Sequence, residues 1–546
     1  MKITKLLIAN RGEIAIRIAR AAADMGLPTV AVHSEDDARS LHLRVADEVL
    51  ELPGQGAAAY LNAQSVIAAA KASDANAIHP GYGFLAERGD FAKACADAGL
   101  IFVGPNVKHL DLFGDKAKAR EAAQKADVPV IRGLDHAVTL DEAKKFFAAL
   151  NGGAMIIKAL AGGGGRGTRA VLTEKEIEAA FQRCQSEAKA AFGKADVYVE
   201  EFIPRARHVE VQILGDLKGG IAHLGERECS VQRRFQKIVE IAPAPAMDDG
   251  LRQQIIAAAV RFAKSVGYTN LGTFEFLVDV SGRGAQPFVF IEANARLQVE
   301  HTVTEEVTGV DLVQSQIRLA QGVTLKELGL DKPIAPRGYA IQCRVNMETI
   351  KPDGSVRPGG GTLNVYEAPN GPGVRTDGFG YAGYKTSGSY DSLLAKVIAH
   401  SPSPDFAVAV SRETRALSEF RLEGVTTNIG FLRNILAHSH FVAGHVHTRW
   451  IDEHIAELAA PAEQRQRFVE AAKPATSDAG FAGARVNSRD PLALFAHDAA
   501  VKAERSSTAA TRWCWPRPGR RRWCFRWTQR TPTGSRAAPR AATMAR

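Results

Sequence analysis

Cysteine is scarce in this chain. Its six residues among 546, Cys95, Cys184, Cys229, Cys343, Cys514 and Cys524, show neither metal-ligand nor disulfide-framework spacing. A disulfide-stapled secreted fold is thereby excluded, and a reduced, cytoplasmic setting is expected. Long apolar runs are missing too. Met1 to Ile8 is short and is followed at once by Arg11 and Glu13, unlike a signal peptide. No stretch approaches the ~18 apolar residues of a membrane span. Two nucleotide motifs are absent. Asn10-Arg11-Gly12-Glu13 has one glycine where a dinucleotide fingerprint needs three, and no Gly-Lys-Ser/Thr closes the glycine run at Gly162 to Gly165 as a Walker loop requires. Tryptophan occurs once in the first 504 residues, at Trp450.

What is present is an ordinary globular composition, 45% hydrophobic and 24% charged, in a chain long enough for three or four units. The net charge of +9 would suggest nucleic acid, but eleven arginines and no Lys, Asp or Glu lie between Arg505 and Arg546, so the first 504 residues sum to −2. The body is therefore not expected to bind nucleic acid.

The stretch from Phe290 to His301 (FIEANARLQVEH) alternates with period two, the pattern of a half-buried strand. Its polar face is Glu292, Asn294, Arg296, Gln298 and Glu300, an unusual set because Asn is depleted in strands. Fully extended, Glu292 and Glu300 would be roughly 26 Å apart. The strand must therefore bend or track a row of ligands. The preceding strand, Gly272 to Val280, forms a hairpin with it and brings Glu275 near Glu292. With Asn294 this makes an all-oxygen cluster suited to Mg²⁺ or Mn²⁺, and a cation relieves the repulsion of paired acids.

Upstream, Lys5 to Asn10, Glu13 to Met25 and Pro28 to His33 read as strand, helix and parallel strand, an α/β opening. Ala77 to His79 ends in HPGYGFLAE, from which Tyr82 projects as a possible ligand contact. Gly114-Asp115-Lys116 opens a helix. Gly152 to Lys158 is a strand running into AGGGGRGTR, whose exposed amides suit a phosphate, with Lys158 placed to reach it. Glu200 and Glu201 sit on a strand from Val197 to Ile203. Gln232, Arg233, Arg234 and Lys237 cluster in a basic patch of a size for phosphates or bicarbonate. Leu251 to Val266 reads as an amphipathic helix. After Pro336 strands dominate (Gly338 to Asn346, Gly359 to Val365, Pro372 to Thr376, Leu393 to His400), followed by helices Asp405 to Phe420 and Thr427 to His438.

Taken together, IANRGEIAIRI, HPGYGFLAE, GDK, IIKALAGGGGRGTR, RHVEVQI, ERECSVQRRFQK, GTFEFL, FIEANARLQVEH, GVDLV and YAGYKTSGSYDSLLAKVI, in this order, resemble the biotin carboxylase component of biotin-dependent carboxylases, members of the ATP-grasp superfamily. The resemblance covers about residues 1 to 450. It implies an α/β fold in three parts: an N-terminal domain (1–113), an ATP-grasp domain (114–334) with a glycine-loop lid (about 130–202), and a strand-rich C-terminal domain (335–450). An Ala-rich helical linker (451–504) and a disordered tail (505–546) would follow.

For the site, the resemblance implies that Lys116, Lys158, Gly162, Gly163, Gly164, Gly165, Glu200, Glu201, Phe202, Ile203, His208, Gln232 and Leu277 hold ATP. Glu275, Glu292 and Asn294 would carry two Mg²⁺ or Mn²⁺ ions. Arg296, Val299 and Lys237 would hold bicarbonate, with Glu300 as general base, while Arg344, Gln298 and Tyr82 would face biotin. The implied activity is ATP-dependent carboxylation of biotin on a carrier, the first half-reaction of an acyl-CoA carboxylase of acetyl- or propionyl-CoA type. The expected partners are a biotin carrier, a carboxyltransferase and a second copy of the chain, with no nucleic acid and no membrane. A carboxylate–amine ligase is the alternative within the superfamily, disfavoured by the Arg296 to Glu300 pattern and by Arg344; a catalytically weak scaffold is the alternative outside it.

Three positions depart from the family pattern: Phe235 replaces a histidine that contacts nucleotide phosphates, Ile241 replaces a glutamate, and Asn346-Met347-Glu348-Thr349 replaces a common Asn-Ala-Glu-Asp. No Ala/Val-Met-Lys-Met segment is present to accept biotin. The tail, with four tryptophans among its arginines, reads better as out-of-frame translation of GC-rich DNA than as a nucleic-acid-binding arm. Residues from about Glu463 on are expected to be poorly ordered.

Overall fold

The computed structural model describes residues 2–134, 136–151, 153–160, 167–281, 286–461, 466–468, 512–514 and 524–526, with the backbone alone described at 191–192, 512–514 and 524–526. The chain divides into a unit from Met1 to Phe468 and a second from Val469 to Arg546.

The first unit opens on five parallel strands, β1 (Leu6–Ile8), β2 (Thr29–Ser34), β3 (Glu48–Leu52), β4 (Ala77–His79) and β5 (Ile101–Phe102), in the order β3-β2-β1-β4-β5. Because successive side chains point to opposite faces, Leu6 and Ile8 meet Ile14 and Ile18 of the helix Gly12–Asp24, while Leu7 meets Val66 and Ile67 of the helix Ala63–Ala72. Burial on both faces explains why β1 reads as a continuous apolar run.

A smaller antiparallel sheet follows, of β6 (Gly133–Leu134), β7 (Ala154–Ala159), β8 (Thr168–Val171) and β9 (Val197–Phe202), in the order β6-β9-β7-β8. The helices Leu140–Ala149 and Ile177–Phe192 flank it, and Met155, Ile157 and Val199 pack with Ala143, Ile177 and Phe181. The first of these helices starts at a Thr139/Glu142 capping box.

The rest of the unit is built on one antiparallel sheet of eight strands, in the order β14-β13-β10-β11-β12-β15-β20-β19. Its members are β10 (Ala206–Gly215), β11 (Ile221–Arg233), β12 (Gln236–Ala242), β13 (Asn270–Asp279), β14 (Phe288–Asn294), β15 (Tyr339–Asn346), β19 (Val374–Gly378) and β20 (Leu393–Ser401). Short ribbons pair β16 (Glu348–Ile350) with β17 (Val356–Pro358) and β18 (Val365–Glu367) with β21 (Arg421–Glu423). The helix Asp249–Ser265 buries Ile255 and Phe262 against Phe274, Phe276 and Phe290. At the other end, Phe406 and Leu417 of the helix Phe406–Glu419 pack with Cys343, Val345 and Val397. Since β12 pairs with β15, the expected boundary at 334/335 falls within a continuous sheet.

Several expectations need correction. The alternating stretch is a strand only as far as Asn294; residues 295–300 are irregular and a helix begins at His301. The chain folds back there: Arg296 N donates to the Asn294 carbonyl at 2.9 Å and His301 N to that of Gln298 at 3.4 Å. Gly359 to Val365 is not a continuous strand: Thr362 makes an isolated antiparallel bridge to Lys385, and the strand itself begins only at Val365, where it pairs with the three-residue β21. The helical structure expected after residue 450 is present at Trp450–Glu453 and Ile455–Leu458, and Trp450, Ile451 and Leu458 lie in the same core as Phe406. Of the segment expected to be poorly ordered, most lies outside the described residues. Within the second unit, β22 (Arg512–Cys514) and β23 (Cys524–Arg526) pair antiparallel. Among the described residues no helix is long and apolar enough to cross a membrane.

Candidate active site

A cavity of about 1160 Å³ lies between the small sheet and the eight-stranded one. Every candidate residue proposed from the sequence lines it, except Gly162, Gly163, Gly164 and Gly165, which lie outside the described residues. Of the basic patch, only Gln232 and Lys237 reach the cavity. Arg233 and Arg234 do not line it, because the chain reverses between β11 and β12 and puts Gln232 opposite Lys237 and Arg233 opposite Gln236. The two residues at that reversal, Arg234 and Phe235, both have left-handed backbone, with φ of 47° and 67°, the geometry of a tight hairpin turn usually given to Asn or Gly. Phe235 is 58% exposed and lies at the cavity wall.

At one end the walls suit a nucleotide. Ile131, Ile203 and Leu277 form an apolar patch with Val289. Beside it, Lys158 Nζ on β7 lies 2.5 Å from Glu200 Oε2 on β9, and Arg120 holds the other oxygen. The cross-strand neighbours Ile156 and Glu200 explain the approach. Burial pushes the Glu200 carboxyl up, but Lys158 and Arg120 outweigh it and hold it below the usual range. Glu201 is instead paired with Arg132 at 2.8 Å.

In the middle, the expected hairpin register is observed: Glu275 on β13 stands opposite Glu292 on β14. Glu292 is half exposed, with Lys116 Nζ at 3.6 Å. Glu275 is buried and heavily bonded. His208 Nε2 lies 2.5 Å from its Oε2, Gln298 Nε2 donates to its Oε1 at 2.8 Å, and Asn294 Nδ2 donates to the same oxygen. Burial raises this carboxyl, yet Lys237 and His208 bring it well below the ordinary value. As placed, Asn294 Oδ1 accepts from Arg296 Nη2 at 3.0 Å, and the facing carboxylates of Glu275 and Glu292 are the oxygen donors that suit a hard divalent cation.

The fold-back after Asn294 sets the far end of the site. Glu300 does not lie at the end of a long track; it sits one lysine away from Glu275. Lys237 Nζ is 3.3 Å from Glu275 Oε1, 2.7 Å from Glu300 Oε1 and 2.6 Å from Glu210 Oε2. Glu300 Oε2 in turn accepts from Arg344 Nη2 at 3.0 Å. Burial works against ionisation of Glu300, but Lys237, Arg344 and Arg227 prevail and keep it well below the usual carboxylate range. Burial also works against the Lys237 ammonium, but the acids around it hold its pKa well above the ordinary lysine value. Arg296 spreads its guanidinium over Gln298 Oε1 (2.8 Å), Asn294 Oδ1 (3.0 Å) and Glu87 Oε2 (3.0 Å). Tyr82 lines the cavity, but its hydroxyl donates to Glu13, and burial followed by the Glu13 charge raises its pKa. Val299 presents its carbonyl to Lys396 Nζ at 3.1 Å.

Sequence reasoning missed the residues that hold these groups in place. Glu240 on β12, wholly buried, pairs with Arg344, and burial raises its carboxyl while Arg344 opposes that. Glu210 and the fully buried Arg227 form the floor beneath Lys237. Glu210 and Arg227 lie within the motifs RHVEVQI and ERECSVQRRFQK, but no local pattern says that a strand will be buried on both faces. Ile241, the departure from the family pattern, is 1% exposed and packs in the core with Val239 and Ile341.

Comparison with known proteins agrees with this geometry. Residues 2–110 match the family model described as biotin carboxylase, N-terminal domain; 115–328 match carbamoyl-phosphate synthase L chain, ATP binding domain; and 342–453 match biotin carboxylase C-terminal domain. The chain is 48% identical over 455 residues to a biotin carboxylase from Nostoc sp., covering 83% of this chain and 99% of that one. It is 50% identical over 457 residues to the mitochondrial pyruvate carboxylase of Homo sapiens, covering 83% of this chain but only 38% of that longer protein. Among solved structures it resembles the biotin carboxylase domain dimer of Hydrogenobacter thermophilus 2-oxoglutarate carboxylase, crystallised with MgADP, ADP and bicarbonate, at a TM-score of 0.77 and 39% identity, over 86% of this chain and 100% of that one. A matching sequence over nearly the whole of a free-standing relative, the three domains in order, and a cavity with this arrangement of acids and cations place the chain in one group: it belongs to the biotin carboxylase family of ATP-grasp ligases.

Proposed function

We propose that this chain uses ATP to join bicarbonate to biotin on a carrier, by way of carboxyphosphate. The observation that carries this reading is the position of Glu300, bracketed by Lys237 and Arg344 and one lysine removed from Glu275. In our reading Lys158, Lys116, His208 and Gln232 bind ATP with the apolar patch around Leu277, the backbone at 201–203 and the Gly162 to Gly165 loop. Glu275, Glu292 and Asn294 would hold two Mg²⁺ or Mn²⁺ ions, which neutralise phosphate charge when bound. Bicarbonate binds at Lys237, Arg296 and Val299. Glu300 takes its proton, so that the oxygen can attack the γ-phosphate. Carboxyphosphate then breaks down to CO₂ and phosphate in a cavity closed to water, and the phosphate removes the ureido proton of biotin. Arg344 stabilises the enolate-like oxygen that results, with Gln298 and Tyr82 beside the ring, and the deprotonated ureido nitrogen bonds to the carbon of CO₂.

The domain boundaries at 113/114, 334/335 and 450/451, a cytoplasmic setting supported by four buried free thiols, a carrier, a carboxyltransferase and a homodimer belong to the same proposal. For the final acceptor we retain an acyl-CoA, supported by the departures at Ile241 and at Asn346-Met347-Glu348-Thr349. The 50% identity to a pyruvate carboxylase favours pyruvate as the second reading. Carboxylation of biotinylated carriers paired with each kind of carboxyltransferase separates the two.

The test is ADP release from the full chain with Mg²⁺, bicarbonate and free biotin. The reading expects bicarbonate-dependent turnover, stimulated by biotin and lost in Glu300→Ala and Arg344→Ala. ATP turnover indifferent to bicarbonate and biotin would overturn it.

A further inference from the structure

Five of the fifteen histidines fall between His438 and His454, on the short helical turns near the end of the first unit, and none of the five lines the cavity. We propose that His438, His440, His454 and Glu457 form a binding site for a borderline transition-metal dication of the Zn²⁺ class.

One ring nitrogen from each of the three histidines lies within 4.8 Å of the other two. The ring centroids are 4.9 Å apart for His438 and His440, 4.9 Å for His438 and His454, and 5.2 Å for His440 and His454. Tetrahedral coordination at ~2.0–2.1 Å per nitrogen needs donors about 3.3 Å apart, so rotamer adjustments of about an ångström complete the set. Glu457 is already there: its Oε1 is 3.2 Å from His438 Nε2 and 3.9 Å from His454 Nε2. Three imidazoles and a carboxylate suit zinc and its neighbours, while Mg²⁺ and Ca²⁺ prefer oxygen alone.

The hydrogen bonds sort the ligands by readiness. His454 Nδ1 lies 2.9 Å from the Trp450 carbonyl, which accepts; the proton is therefore on Nδ1 and the Nε2 lone pair points out, the arrangement of a metal-binding histidine with its supporting bond in place. His440 is exposed and ends on a rotatable side chain. His438 has to give something up. Its Nδ1 accepts the His440 backbone N–H at 3.1 Å, so coordination through Nε2 exchanges that bond, at the head of a four-residue helix, for a metal ligand. Trp450, 1% exposed, lies beneath His438 and His454 with centroids at 5.1 and 5.3 Å and holds both rings from below. Metal binding would clip the terminal turn Ile455–Leu458 to the turn at Ser439–Val442.

The experiment is calorimetric titration of the full chain, stripped with chelator, using ZnCl₂ in excess Mg²⁺ so that the carboxylates of the cavity are covered. We expect one equivalent with a Kd of about 1 µM or tighter, weakened at least 100-fold in His440→Asn and in His454→Gln. A Cys514→Ser/Cys524→Ser variant, which removes the tail thiols as a competing site, keeps that equivalent. Both histidine variants keep bicarbonate-dependent ATP turnover, which shows that they fold. Substitution by Co²⁺ gives the visible bands of a tetrahedral site in the parent chain and not in the variants. Zn²⁺ binding that is unchanged in the histidine variants, or that appears only at millimolar concentration, overturns the proposal.

Discussion

Removing Arg344 tests the electrostatics of the proposed base. In the resting structure Glu300 is gripped by two cations, Lys237 at 2.7 Å and Arg344 at 3.0 Å, and its carboxyl is held far below the usual range despite burial. So strong an ion pair makes a weak base. Arg344→Gln removes one charged hydrogen bond to a buried carboxylate, worth about 1.5–3 kcal/mol, or about 1–2 units in the pKa of Glu300. Lys237 remains, so Glu300 stays an acid of less than ordinary pKa. Glu240, which loses the same partner, is already pushed up by burial and takes a proton. The sign follows from the lost cation: a carboxylate with one positive neighbour fewer binds its proton more readily, so its pKa rises. A ¹³C NMR titration of the Glu300 side-chain carboxyl reads that pKa directly, apart from the protonation of bicarbonate itself and from any role of Arg344 with biotin. The expected result is an upward displacement of about 1–2 pH units, smaller in Arg344→Lys. A midpoint that stays in place, or moves down, refutes the reasoning.

Three further predictions concern other parts of the fold. Phe235→His places an imidazole at an exposed position on the cavity wall; the KM for ATP should fall several-fold with no change in Tm, and an unchanged or higher KM would contradict a phosphate contact there. Lys396 is fully buried, 2.9 Å from Glu13 Oε2, so Lys396→Met leaves a buried carboxylate uncompensated at a cost of about 3–5 kcal/mol. Thermal unfolding should show a large drop in Tm, partly recovered by adding Glu13→Gln; equal Tm values would show that the pair is not what joins these elements. Burial lowers the pKa of His42 to about 4 and those of His79 and His301 to about 3. The unfolded chain protonates these residues near pH 6.5 while the native one refuses the protons, so stability falls as pH drops below about 6.5, by up to about 1.4 kcal/mol per unit for each histidine. Tm followed from neutral pH down to about 5 should decline steadily; a flat profile would show that these rings are solvated.

Much of this site was legible because its residues occur in short contiguous motifs. The opposition of Glu275 and Glu292 follows from a hairpin, and hairpin register is a local property. Lys158 preceding a glycine run, and Glu200 on a strand nearby, likewise needed only their neighbours. The path after Asn294 was not legible. Alternation continues through Glu300, and period two alone cannot distinguish an extended strand from a chain that folds back while keeping Ala295 and Leu297 buried. The closure of Glu300 onto Lys237 depends on β10, β11 and β12, remote in sequence. Glu240, Glu210 and Arg227 escaped for the same reason: a buried charge is recognised by its partner, and here the partners are 17 or more residues away. The packing of Trp450 to Leu458 beyond the expected boundary escaped because four-residue helices leave almost no periodic signal.

The most direct measurement is the fate of labelled carbon. The full chain is incubated with ATP, Mg²⁺, free biotin and ¹⁴C-bicarbonate, and acid-labile label on biotin is counted. The account predicts carboxybiotin formed in proportion to ADP, absent without ATP and abolished in Glu300→Gln. ADP released with no label reaching biotin, or label transfer undiminished in Glu300→Gln, would contradict it.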